Sequence, residues 1–224
     1  MTDWFYGAWA VFEKDVRLEF RNKYAINALL MFVLGAMPLV LFAMGQENIG
    51  IREQAALLWL IILFAGAVGL GRAFIGEEER GTVLILQLNT RPSMVYAGKL
   101  IFNFLLIFSV NVVALVAFII FLQLSVQIWG LLLLTLALGA IGLAGATTLL
   151  AALIARSSNQ SAVLPVLLFP LLIPLLVSVV HATRSALIEH LGWDAAINDL
   201  MVLTGFAGVT ITASVLLFDY VWND

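Results

Sequence analysis

The sequence has no cysteine. That excludes disulfides, thiolate metal centres and thioether-linked prosthetic groups within the chain, and it leaves the redox compartment open. Charge is scarce as well. Asp, Glu, Lys and Arg make up 11% of the residues, where a soluble domain carries about a quarter. Only two histidines are present. No G-x-S-x-G or H-E-x-x-H pattern occurs, so the hydrolase and zinc-protease constellations are missing. The Gly98-Lys99 pair has Ser93 where a phosphate-binding loop needs its first glycine, which excludes an ATP site at motif level. No cleavable signal peptide is expected. The first apolar run begins near Ala25, behind a charged segment, and is long enough to stay as an anchor.

What the sequence does have is apolar surface. Its 224 residues are 63% hydrophobic, with a mean hydropathy of +1.08. One core of this size cannot hold that excess, so the class is integral membrane and all-α. Six apolar runs lie at about 25–44, 55–75, 99–122, 128–154, 160–181 and 199–222. Each is near or above the ~20 residues that cross a hydrocarbon core as a helix. Ahead of them, residues 4–23 place Phe5, Trp9, Phe12, Val16 and Phe20 on one helical face and Glu13, Lys14, Arg17, Arg21 and Lys23 on the other. This predicts a helix lying in the headgroup plane, or else a small helix packed on protein. With the N-terminus inside, nine Lys and Arg fall on inner segments, and only Arg52 and Arg184 fall outside. Both termini are therefore expected in the cytoplasm. With no linker, repeat or low-complexity tail, residues 1–224 read as a single transmembrane domain. The formal net charge of −3 says little about partners. Membrane lipid is expected among them and nucleic acid is not.

The stretch from Arg72 to Lys99 gathers seven charged residues between two apolar runs: Arg72, Glu77, Glu78, Glu79, Arg80, Arg91 and Lys99. The acidic cluster followed by Gly81-Thr82, an apolar patch and Arg91-Pro92 has the composition of a docking element on the inner face. The plainer reading is a charged inner loop. In the fifth run, Pro165, Pro170 and Pro174 fall within ten residues. They predict a bent or broken helix that lines the interior or acts as a hinge. Gly139, Gly142 and Gly145 mark a packing face, a moving seam or a dimer seam. Asn103 and Asn111 share a face, either along a substrate path or in hydrogen bonds across helices. Residues 181–199 are too polar to span and are expected to form one or two short outer helices capping the bundle. They hold His181, His190 and Trp193. A transient axial contact to haem is one reading of these three, since imidazole ligates haem iron. Interfacial hydrogen bonding beside an aromatic anchor is the more ordinary one.

The run Glu78-Glu79-Arg80-Gly81-Thr82, with Leu86, Leu88, Arg91, Pro92, Tyr96, Gly98 and Lys99, resembles the loop between spans two and three of exporter-type ABC permeases. Together with the proline-rich Leu164–Leu176 segment it is similar to the cytochrome c maturation protein B, or haem exporter B, family. The likeness covers nearly the whole chain. The resemblance implies a six-span permease with an N-terminal interfacial helix in the bacterial inner membrane. It implies a coupling element formed by Glu77, Glu78, Glu79, Arg80, Gly81, Thr82, Arg91 and Pro92. It also implies a separate cytosolic ATPase, maturation protein A, which binds the ATP. Maturation proteins C and D and the haem chaperone E would be further partners, within a complex built on a homodimer. No cofactor is expected to reside in this chain, which would not itself be an enzyme, and haem would be handled as cargo. The rival readings are a permease exporting lipid, drug or polysaccharide, a non-transporting membrane scaffold, and a membrane enzyme.

Overall fold

The computed structural model describes residues 2–44, 49–70, 88, 90–154 and 160–223. Among the described residues the chain is all-helical. It runs α1 (Thr2–Asn22), α2 (Tyr24–Met44), α3 (Ile51–Leu70), α4 (Pro92–Leu122), α5 (Trp129–Ile154), α6 (Gln160–Leu187) and α7 (Gly192–Asn223). Helices α2, α4, α5, α6 and α7 are long and apolar enough to cross a membrane. The described part of α3 is not among these five. It opens on Arg52, Glu53 and Gln54, and the residues that would extend it beyond Leu70 lie outside the described ones. Five apolar spans, with no strand among the described residues, make this an all-α integral membrane protein.

Helix α5 is the hub. It packs against α3, α4, α6 and α7, and 67% of its apolar window is buried, against 22% for α7 and 17% for α2. Lipid offers no hydrophobic drive between helices, so close approach has to come from small residues. Gly139 faces the Trp59 ring of α3 and Val179 of α6. Gly142 faces Leu175 of α6 and Phe206 of α7, and Gly145 faces Thr210 of α7. The glycine row is thus occupied by helices of the same chain. Buried hydroxyls are spent locally: Thr135, Thr147 and Thr148 donate to carbonyls one turn back on α5, as Thr210 and Ser214 do on α7. Trp59 Nε1 donates to Thr183 Oγ1 at 2.8 Å inside the core and ties α3 to α6.

Two expectations change. Residues 181–199 are not a cap of short helices. Helix α6 continues to Leu187, residues 188–191 turn, and α7 starts at Gly192. Gly192 takes a left-handed φ of +62°, a conformation glycine adopts without strain. Asp194 in the first turn then suits the positive end of the helix dipole. The polar residues decorate the ends of two long helices. The prolines also fail to break α6, and Pro170 and Pro174 are exposed on its outer side rather than lining the interior. Proline removes a donor only from its own position, and the inward ridge of Leu168, Leu172, Leu175 and Val179 remains packed.

Candidate functional site

The start of α4 is tied to α1 by a hydrogen bond, a close backbone approach and an ion pair. Arg91 is its N-cap, in extended backbone, and its carbonyl accepts from the N–H groups of Met94 and Val95. Pro92 follows in the first turn, where its missing donor costs nothing. The helix therefore begins seven residues before the apolar run expected from Lys99. The other proposed coupling residues, Glu77, Glu78, Glu79, Arg80, Gly81 and Thr82, lie outside the described residues.

Helix α1 is fastened onto this root. Trp4 Nε1 donates to Ser93 Oγ at 3.0 Å. A Cβ at Gly98 would stand 2.6 Å from the carbonyl oxygen of Ala8, so glycine is what lets the two backbones meet. At the next residue, Lys99 Nζ lies 3.3 Å from Asp15 Oδ2, with the lysine only 1% exposed and the Asp15 side chain 11%. Lys14 reaches the other oxygen of Asp15, also at 3.3 Å. Lys99 reads in sequence as the last charge of an inner loop, whereas in the fold it is buried between helices. An ammonium in such a place needs a paired carboxylate. Sequence reasoning missed Asp15, Trp4 and Ser93. The signal for Asp15 was an acid set among the basic residues of α1.

By contrast, α1 scarcely touches α2, its neighbour in sequence. Lys23 breaks the two helices apart with φ +50°. Glu19 spans the break, accepting from the Ile26 N–H at 2.8 Å at the start of α2. On the open side of α1, Phe5, Tyr6, Trp9 and Phe20 stay exposed.

The interior stripe of α4 carries polar groups upward from this root. The Tyr96 ring packs on Phe218 of α7 with centroids 5.6 Å apart. Asn103 Nδ2 donates to Thr148 Oγ1 at 2.8 Å. Asn111 Nδ2 donates to the Leu136 carbonyl at 3.1 Å. Both asparagines therefore bind α4 to α5. At its far end α4 closes on Gln123 in left-handed conformation. The N–H groups of Gln127 and Ile128 then both donate to the Ala186 carbonyl near the end of α6, at 3.2 and 3.0 Å.

A family model described as CcmB protein matches residues 6–219. The chain belongs to the CcmB family. It is also similar to a heme exporter protein B of Bradyrhizobium diazoefficiens, 26% identical over 197 residues that cover 87% of this chain and 89% of that one. In this CcmB chain the match runs from Tyr6 of α1 through the α4 root to Asp219 of α7.

The far-end candidates of this CcmB-family chain sit on the α6–α7 hairpin. His181 is half-exposed, with Nδ1 3.8 Å from Asp199 Oδ1 across to α7. That is an ion-pair distance, longer than a hydrogen bond. His190 is exposed in the 188–191 turn, and Trp193 is half-exposed on the first turn of α7. No group of three or more His, Asp or Glu able to hold a metal occurs among the described residues.

Proposed function

We propose that this chain is the membrane subunit of a haem-handling ABC complex that relays ATP-driven motion from the cytoplasm to the far side of the bacterial inner membrane. It crosses six times with both termini cytoplasmic, as a homodimer beside maturation protein A as ATPase, maturation proteins C and D and the haem chaperone E. ATP is hydrolysed in the partner, and haem is cargo. The family match and the name of the Bradyrhizobium relative support the haem assignment.

The observation that carries the relay is one unbroken helix with a fastening at each end. Helix α4 runs from Pro92 to Leu122, roughly 45 Å at 1.5 Å per residue. Its root holds α1 through Asp15 and Lys99, and the segment after its far end hangs on Ala186 of α6. ATPase closure pushes residues 77–92. The α4 root and α1 move together, Lys23 serves as the elbow towards α2, and displacement at Gln127 and Ile128 reaches the α6–α7 hairpin.

Replacing Glu78 and Glu79 together with Ala is expected to reduce co-purification of the ATPase while the bundle stays folded. Undiminished recovery of the ATPase counts against the coupling role. On the far side, His181 is the residue we assign to haem contact, with His190 and Trp193 as further candidates on the same α6–α7 hairpin. Asp199 stands on the Nδ1 side at 3.8 Å, which leaves Nε2 as the nitrogen for the iron. His181→Ala is expected to abolish the Soret shift on haem titration, and an unaltered shift removes His181 from the route.

A further inference from the structure

Between the far halves of α5 and α7 runs an open groove of about 440 Å³. Leu134 and Leu138 of α5 form one wall, and Ile197, Met201 and Thr204 of α7 form the other, with Gly205 as the floor. All of these residues lie inside the apolar windows Trp129–Ala151 and Gly192–Phe218, so the groove faces hydrocarbon. Trp129 and Trp193, both about half-exposed, stand on the first turns of the two helices that make it. The Trp193 ring lies over Gly130, 3.5 Å from where a Cβ would be. Tryptophans at such ends sit at headgroup depth, which sets the groove just beneath, among acyl chains. The lining offers no polar handle. Its one hydroxyl, Thr204 Oγ1, is spent on the Leu200 carbonyl at 2.8 Å. An occupant must therefore be wholly apolar along its length, and a polar or charged cargo would leave its own groups unpaired.

We propose that this groove is a lipid site, holding one acyl chain of a phospholipid from the leaflet on the side of the 188–191 turn. The chain lies along α7 over Gly205, on the inner side of Trp193, and is retained longer than lipid against the bulky outer face of α2. Gly205 is the residue that makes the room. A Cβ there meets nothing within 4 Å, and neither does one at Gly208, which does not line the groove. A larger side chain at either position thus enters open space, and only the one at Gly205 fills the groove.

The test uses the purified full chain in phosphatidylethanolamine–phosphatidylglycerol vesicles containing a phospholipid with a photoreactive diazirine on its acyl chain. Crosslinks are mapped by peptide mass spectrometry. Labelling is expected to concentrate on the Leu134–Leu138 and Met201–Gly205 segments, several-fold above the exposed α2 face at Met31, Leu34 and Leu39. Gly205→Phe is expected to abolish this excess and Gly208→Phe to leave it intact. Leu134→Trp, filling the groove from the opposite wall, gives the same loss if Gly205→Phe does not fold. Equal labelling of α2 and α7, or an excess that survives both filling variants, overturns the proposal. So does a polypeptide that shields Gly208 together with Gly205, which would make the face a seat for a protein helix.

Discussion

Lys99 and Asp15 set the residue-scale argument. An ammonium at 1% exposure needs a counter-charge, and a carboxylate from another helix stands 3.3 Å away. Lys99→Met strands Asp15 with Lys14 as its remaining near cation, at a cost of about 1–3 kcal/mol. The expected reading is a lower melting temperature in detergent and faster proteolysis at the end of α1. The exchange Asp15→Lys with Lys99→Asp is expected to recover part of the loss, and an exchange no better than the single variants would show that the two do not interact. A second residue-scale prediction concerns Gly139, whose Cβ would run into the Trp59 ring. Gly139→Val has to push that ring from its bond to Thr183, for about 1–3 kcal/mol of destabilisation, whereas Gly205→Ala at an open helical position does not lower thermal stability. Some of this was legible. Asn103 and Asn111, eight residues apart, pointed to one face, and the reading as cross-helix hydrogen bonds is the one the fold supplies. The partner of Lys99 was not legible, because pairing across 84 positions leaves no periodic trace.

Composition placed the helices well at the level of elements but set their ends by hydropathy alone. The start of α4 was signalled by Arg91-Pro92, a stop-and-start pattern that outweighs the polarity of Ser93 and Lys99. The start of α7 was hidden because Asp194, Asn198 and Asp199 lower the hydropathy of what is one continuous helix. Polar residues near a span end are tolerated where they reach the interface or pair with a neighbour, as Asp199 does with His181. Proline carries the next prediction. Pro170 and Pro174 sit on the outer side of an unbroken α6, where each leaves a carbonyl one turn back without its helical donor. We propose them, with Pro165, as the bend that lets α6 follow a displacement at Ala186. Replacing Pro170 and Pro174 with Ala is expected to raise thermal stability and slow nucleotide-dependent change at the α6–α7 hairpin, followed by spin labels at its two arms. Unchanged hairpin kinetics would assign the prolines to packing alone.

For the whole molecule, the sequence dictated a helical membrane bundle because nothing else could bury so apolar a chain. The central role of α5 was only hinted at by its glycines, since identical spacing serves a dimer seam or an internal one. The proposed relay depends on polarity: a cytosolic engine gripping the segment ahead of α4, with the α6–α7 hairpin on the opposite face. The absence of cysteine makes this directly measurable, because any introduced thiol is unique. Glu78→Cys and His190→Cys are each expressed in cells and exposed to a membrane-impermeant maleimide before and after the cytoplasmic membrane is opened. The account predicts that Cys at 190 reacts from outside in intact spheroplasts while Cys at 78 reacts only once the membrane is breached. Labelling of Cys at 78 from outside would put the segment beyond reach of a cytosolic ATPase and contradict the relay.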